Sequence, residues 1–323
     1  MKNLALLYGG YSSEFEISKL SAKNILPNLP EEYNSFLVEV TREGWKAEIE
    51  GEHFPIDWND LSFQTKEGQK FIDVALVFIH GEPGENGKIQ SFLDMKEIPT
   101  INSSTLASEL SFDKWYCNTF LKQCGIPVAK SIRLIKGQEY DANEVVMQLG
   151  LPLFVKPTDS GSSFGVSKVK SSDELPKAID FAFAEGKTVI MESFLDGREL
   201  CCGVYRSKSG VKALPITEII ANGEFFDYEA KYKGQSQEIT PADLPEDIKL
   251  KIQAETVKIY ELLQLKSIAR VDFMLVKGEP MVIEVNAVPG FSEASLVPQM
   301  LQEEGIDLKS FWKEVIEVCL TQS

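Results

Sequence analysis

The chain opens with "LALLYGG", a short apolar run closed by two glycines, which reads as a β-strand running into a turn. A helix is predicted from about Ser13 to Leu26, then strands at "NSFLVEV" and at "VALVFIH", whose unbroken apolar character suits burial on both faces of a parallel sheet. "IPTINSS" reads as a last short strand and linker, and "LSFDKWYCNTFLKQCG" as one helix stopping at Gly125 before Pro127. In the middle third, "LPLFVKPTDSGSSFGVSKV" reads as strand, Gly/Ser loop and strand, "DELPKAIDFAFAEG" as a helix closed by Gly186, and "TVIMESFL" as a strand. The last third offers four strands of an antiparallel sheet, "ELCCGVYR", "VKALPITEI", "ARVDFMLV" and "PMVIEVN", with helices at "EDIKLKIQAETVKIYELLQ" and near the C-terminus. Between them, "FFDYEAKYKGQSQEITPADLP" has no clear period, and a loop of that length in a compact domain is usually functional or mobile. The pattern is α/β in the first third and α+β afterwards.

Strand alternation gives the last of these elements its chemical content. Arg270, Asp272 and Met274 share one face, opposite Val271, Phe273 and Leu275. Beyond a turn at "KGEP", Glu284 and Asn286 share a face, opposite Ile283 and Val285. Pairing the two strands with apolar faces aligned projects all four polar groups to one side. Two carboxylates and an amide oxygen form an oxygen-only set suited to Mg²⁺; a solvated sheet face with a surface ion pair has the same spacing.

Three further stretches carry candidate chemistry. In "VKPTDSGSSFGVSKV", Gly161 and Gly165 let backbone N–H groups approach an anion, Ser162 and Ser163 add donors, and Lys156 adds charge; a plain glycine-rich hairpin is the alternative. It is not a Walker A loop, because no Gly-Lys-Ser/Thr follows. In "YGGYSSEFEIS", Glu14 could meet a substrate ammonium or simply favour the first turn of a helix. "VFIHGEPGENGKIQ" puts His80 at the C-terminal end of a parallel strand, where α/β sheets hold ligands, although a lone histidine also serves structure.

Composition narrows the field. The length of 323 residues suggests about two domains as a prior, and 43 % hydrophobic with 25 % charged residues is ordinary for a folded, soluble protein. A net charge of −16 argues against nucleic acid as a partner. No segment reads as a signal peptide or membrane span, so the expected location is the cytoplasm. Five cysteines without metal spacing read as reduced, structural thiols, and two histidines exclude a histidine-rich metal site.

Taken in order, "GGYSSEFEISKLSA", "HGEPGENGKIQ", "LSFDK", "VKPTDSGSSFGVSKV", "MESFLDGRE", "FFDYEAKY", "ARVDFML" and "EVNAVPGFSEASLVP" resemble the D-alanine:D-alanine ligases of the ATP-grasp superfamily over nearly the whole chain. The resemblance implies three domains, 1–102 (mainly parallel α/β), 103–191 and 192–323 (both α+β), with ATP clasped between the last two. It implies that ATP phosphorylates one D-alanine to an acyl phosphate, which the amine of a second D-alanine attacks. Two Mg²⁺ (or Mn²⁺) would be held by Asp272, Glu284 and Asn286, and Arg270 would face the oxyanion of the tetrahedral intermediate. Lys114 and Lys156 match phosphate-binding lysines, and the Ser162–Ser163 loop would close over the phosphates. Glu192, Leu195 and Glu199 match the adenine and ribose positions. Glu14 would take the first ammonium, with His80 nearby, and Gly290, Ser295 and Leu296 match the pocket for the second amino acid. "DYEAKY" matches a mobile loop that excludes water, in which Lys231 would reach the transferred phosphate and Tyr232 would bridge towards Glu14 and Ser162.

The chain departs from the family's usual pattern at Asn86, Ser91, Ala287 and Phe291. Phe291 is expected beside the second pocket, which leaves the second substrate as D-alanine, D-lactate, D-serine or another amino acid. A nucleotide-binding regulator without catalysis is the alternative of a different class. A homodimer and a role in peptidoglycan synthesis are the remaining implications of the resemblance.

Overall fold

The computed structural model describes residues 1–161, 164–221 and 236–321, and the architecture below concerns those residues. The first sheet contains β1 (Lys2–Gly9), β2 (Tyr33–Thr41), β3 (Gly44–Ile49) and β4 (Glu52–Pro55). After a separate hairpin, β5 (Ser62–Thr65) with β6 (Gly68–Phe71), the sheet is completed by β7 (Val74–Val77) in the order β4-β3-β2-β1-β7. β1 runs parallel to β2 and β7, so the apolar core of the sheet is parallel as its sequence pattern predicts, while β3 and β4 add an antiparallel edge. The expected strand at "IPTINSS" is reduced to a single bridge between Ala75 and Thr100. There the Asn102 side chain takes the place of a backbone partner, accepting from Val77 N at 2.6 Å and donating to Val77 O at 2.8 Å.

The second sheet joins β8 (Ser131–Ile135), β9 (Leu153–Pro157), β10 (Ser167–Val169) and β11 (Thr188–Ser193) in the order β10-β9-β11-β8. Helices Ala142–Leu149 and Leu175–Glu185 cover it, burying Leu153, Val155, Val189 and Met191 against Ala178 and Ala182.

The third sheet is antiparallel, with β12 (Arg198–Ser207), β13 (Gly210–Ala221), β14 (Ser236–Ile239), β15 (Ile268–Val276) and β16 (Glu279–Asn286) in the order β14-β13-β12-β15-β16. Helix Glu246–Leu262 packs on one face, where Leu200, Cys202 and Val204 meet Ile252, Ile259 and Tyr260. Helices Leu296–Glu303 and Leu308–Thr321 serve the other, where Cys201 and Tyr205 share a core with Met300, Phe311 and Trp312. Successive β12 residues therefore enter opposite cores, which explains the continuous apolar run of that strand. The second of these cores extends into the first sheet through Phe78, whose ring meets Phe291 at 5.7 Å and Trp312 at 5.8 Å. The N-terminal and C-terminal parts of the chain are thus packed as one body around the cleft.

The predicted helix "LSFDKWYCNTFLKQCG" is two helices, Thr105–Phe112 and Lys114–Gln123, broken at Asp113. Asp113 leaves the helical conformation to cap the second helix, its Oδ1 accepting from Trp115 N at 2.9 Å and Tyr116 N at 3.0 Å. The break places Lys114 at a helix start facing the cleft. Among the described residues no disulfide forms, and no helix is long and apolar enough to cross a membrane.

Candidate active site

One cleft of about 820 Å³ lies where the three sheets meet. Its lining brings together Glu14, His80, Lys114, Lys156, Glu192, Leu195, Glu199, Arg270, Asp272, Glu284, Asn286, Gly290, Ser295 and Leu296. Ser162, Ser163, Lys231 and Tyr232 lie outside the described residues. A volume of this size is typical of a small-molecule site rather than a macromolecular groove.

The β15–β16 hairpin forms the charged wall. Its register pairs Arg270 with Asn286 and Asp272 with Glu284, so the four polar side chains share a face. Arg270 grips Asp272 through two parallel bonds, Nε to Oδ1 and Nη2 to Oδ2, each 2.7 Å, and Asn286 Nδ2 donates to the same Oδ2 at 3.1 Å. Both partners of the ion pair are largely buried, with side chains 16 % and 10 % exposed, so the solvated-face alternative is set aside. Burial alone would push the Arg270 guanidinium down, but Asp272 outweighs it and holds the group above its ordinary range.

Strict alternation fails at one position of this hairpin. A bulge sets Asp272 opposite Glu284 but Phe273 opposite Val282, so Ile283 is the extra residue. Ile283 lines the cleft rather than the apolar core, and its carbonyl accepts from Asn118 Nδ2 at 3.4 Å.

Lys114 crosses from its helix start to this wall. Its Nζ donates to Ser160 O at 2.7 Å and lies 3.3 Å from Glu284 Oε2. Burial opposes the charge on Lys114, yet Glu284 more than compensates and the amine stays protonated beyond its usual range. Lys156, on β9, pairs with Glu192 Oε2 on β11 at 2.6 Å, both side chains buried, and Glu192 Oε1 accepts from Asn118 at 3.3 Å. Lys114, Lys156 and Arg270 thus bring three cations to the cleft, each beside a carboxylate: Glu284, Glu192 and Asp272.

The opposite end is built from the loops after β1 and β7. Glu14 is buried and stands at the start of helix Phe15–Ile25, but its side chain makes no capping bond, which removes capping as the reason for its placement. Its carboxylate abuts Gly161, where a Cβ would lie 2.4 Å from Glu14 Oε2, so any larger residue there would displace the carboxylate. His80 is buried beside Ser21 Oγ, 3.3 Å from Nε2, and burial lowers its pKa so that a neutral imidazole faces the cleft. Glu85 was not singled out among the sequence's candidates, although it lies within "GEPGENG". It is buried in the lining, accepts from Gly81 N at 2.7 Å, and is pushed up to about 8 by burial and then by Glu14.

Phe291 corrects a second expectation. Its side chain is fully buried, stacked on Phe311 at 5.9 Å and packed on Trp312 at 5.0 Å, and does not line the cleft. Only its backbone serves the site, with Phe291 N donating to Ser21 Oγ at 3.0 Å and Asn24 Nδ2 donating to Phe291 O at 2.8 Å. These bonds latch the first helix to the Gly290–Ser295 turn, where Ser292 N donates to Ser295 Oγ at 2.9 Å.

Comparison with known proteins adds the family. The model for the D-ala D-ala ligase N-terminus matches residues 3–103, and that for the D-ala D-ala ligase C-terminus matches residues 120–317. This chain belongs to the D-Ala D-Ala ligase family. It is 43 % identical over 319 residues to a D-alanine--D-alanine ligase of Parabacteroides distasonis, covering 98 % of this chain and 97 % of the relative. Its fold matches the VanG D-Ala:D-Ser ligase of Enterococcus faecalis with a TM-score of 0.87 at 28 % identity, covering 98 % and 99 % of the two chains. It matches the Bacillus anthracis D-alanine--D-alanine ligase complexed with ATP with a TM-score of 0.79 at 28 % identity, covering 100 % and 98 %. The sheets and cleft described above are thus the ATP-grasp fold as this ligase family builds it.

Among the described residues no cluster of three His, Cys, Asp or Glu side chains gathers, and the third oxygen on the hairpin face belongs to the Asn286 amide. Asp272, Glu284 and Asn286 fit a hard cation: they offer oxygen donors from paired strands, and the Cys201 thiol across from Asp272 on β12 is buried and held protonated by that burial.

Proposed function

We propose that this enzyme joins two D-alanines to D-alanyl-D-alanine at the expense of ATP, in the cytoplasm and for peptidoglycan synthesis. The observation that carries this reading is the convergence of Lys114, Lys156 and the Arg270–Asp272–Glu284–Asn286 face on one cleft in a chain matched over its full length by D-alanine--D-alanine ligases. The units 1–102, 103–191 and 192–323 would act as the domains, in a homodimer.

Lys114 and Lys156 bind the phosphates, with Ser162 and Ser163 closing from the loop, and Glu192, Leu195 and Glu199 hold adenosine. Asp272, Glu284 and Asn286 would hold two Mg²⁺ ions, which neutralise developing charge during phosphoryl transfer. Glu14 takes the ammonium of the first D-alanine, and the neutral His80 beside it adds no competing charge. The carboxylate of that D-alanine accepts the γ-phosphoryl group. The second D-alanine sits at Gly290, Ser295 and Leu296, and its nitrogen attacks the activated carbonyl. Arg270, held flat by Asp272, stabilises the resulting oxyanion; the C–N bond forms, the C–O bond breaks and phosphate leaves. Lys231 and Tyr232 complete the enclosure, the first on the transferred phosphate and the second towards Glu14 and Ser162.

ADP release with and without D-alanine, together with the product mass, tests the assignment. D-alanine-dependent ADP release with D-alanyl-D-alanine as product is expected. ATP turnover indifferent to D-alanine would refute it, and a preference for D-serine or D-lactate as second substrate would correct its specificity.

A further inference from the structure

The second-substrate end of the cleft contains a carboxylate to which the reaction above gives no role. Glu238, on β14, pairs across the sheet with Ile219, which pairs with Glu199, so all three share the face that carries the site. Its side chain lines the cleft, partly buried, and feels the charge of Arg270. Gln299, one turn into helix Leu296–Glu303, orients it: Nε2 donates to Glu238 Oε2 at 3.3 Å and to Ala294 O at 3.0 Å. The same amide therefore ties Glu238 to the Ser292–Ser295 turn.

An amino acid reaches this end as a zwitterion. Ser295 and Arg270 suit its carboxylate, but its ammonium needs an anion and must lose a proton before nitrogen can attack. Glu14 is assigned to the ammonium of the first substrate, and Asp272 is held by Arg270. Resting on the ligase reading above, we propose that Glu238 receives the ammonium of the second amino acid and takes its proton. The step balances: R–NH₃⁺ and Glu238 carboxylate become R–NH₂ and the carboxylic acid, and the free amine forms the C–N bond as the C–O bond to phosphate breaks. Burial raises the carboxyl above its ordinary range, making it a better proton acceptor than an exposed glutamate. A group that rewards a cationic nucleophile also favours an amine over a hydroxyl.

Glu238→Gln tests this, since the amide keeps an oxygen for Gln299. Acyl phosphate made from one D-alanine is intercepted either by the second D-alanine or by hydroxylamine, a neutral nucleophile that needs no carboxylate to collect or deprotonate it. Wild-type enzyme should give both dipeptide and hydroxamate; absence of both would overturn the ligase reading itself, whatever Glu238 does. In Glu238→Gln, dipeptide formation should fall on the order of 100-fold, with a raised KM for the second D-alanine. Hydroxamate formation should stay within about twofold, showing an intact fold and intact phosphoryl transfer. Equal loss of both products, or retention of both, would overturn the proposal.

Discussion

At the hairpin end of the cleft, Asp272 holds Arg270 through two 2.7 Å bonds and Glu284 lies 3.3 Å from Lys114, whereas at the side formed by the N-terminal loops the buried Glu85 carboxyl feels the charge of buried Glu14. The first end carries its charges as pairs fixed by strand register. The second crowds two carboxyls into a low-dielectric pocket, where burial and then Glu14 raise Glu85 to about 8. The difference matches the ligands proposed for each end. Phosphates and cations demand rigid geometry, while the ammonium of an amino acid is drawn by a buried carboxylate.

The sharpest break of this contrast is Asp272→Asn. It removes a proposed cation ligand and leaves Arg270 without its carboxylate, so turnover should fall by at least about 1,000-fold. Leaving a buried charge unpaired should also cost about 3–5 kcal/mol. ADP release and a thermal melt read the two losses separately. Near-normal turnover would show that the hairpin charges are structural only.

Gly161→Ala attacks the other end. The added Cβ would lie 2.4 Å from Glu14 Oε2 and so push the carboxylate away from its position, and kcat/KM for the first D-alanine should drop on the order of 30-fold. The KM for ATP should change much less, and an equal rise in both would deny that Glu14 serves the amino acid.

Glu85→Gln sharpens the contrast through pH. With its folded pKa raised to about 8 from an ordinary 4.5, Glu85 binds a proton more tightly folded than unfolded. Its contribution to stability is therefore fully present below pH 4.5 and lost as pH rises to about 8. The glutamine variant lacks that loss and should be more stable than wild type at pH 8.5, by a few kcal/mol at most. A pH-independent difference between their melting curves would remove the charge argument for this end.

The smallest effect is expected at Phe291→Leu. Its ring lies wholly in the core shared by Phe78, Phe311 and Trp312, so the change should cost about 1–3 kcal/mol of stability. Relative rates with different second amino acids should stay within about threefold. A larger change in selectivity would return Phe291 to the pocket.

These two ends were also unequally legible in the sequence. The Arg270–Asn286 hairpin could be read because strand alternation is a local rule, and only the bulge at Ile283 escaped it, since a bulge is decided by pairing rather than by either strand alone. Four apolar strand runs and their flanking helices were visible for the same reason. The Asp113 break was not, because a capping aspartate inside an amphipathic run looks like one more polar position. Glu85 and Glu238 had no periodic signal: one sits in a glycine-rich loop and the other within the aperiodic stretch, where the structure forms the short strand Ser236–Ile239, and both become meaningful only when distant segments fold onto one cleft. Phe291 misled because its neighbours Gly290 and Ser292 do line that cleft, while its own side chain turns the other way.

The acyl phosphate is the central claim, and oxygen labelling tests it most directly. With D-alanine carrying ¹⁸O in its carboxylate, transfer of the γ-phosphoryl group to that carboxylate and its later departure must carry one labelled oxygen into the phosphate product. The account predicts singly labelled phosphate formed in step with D-alanyl-D-alanine. Dipeptide formed with unlabelled phosphate would contradict it.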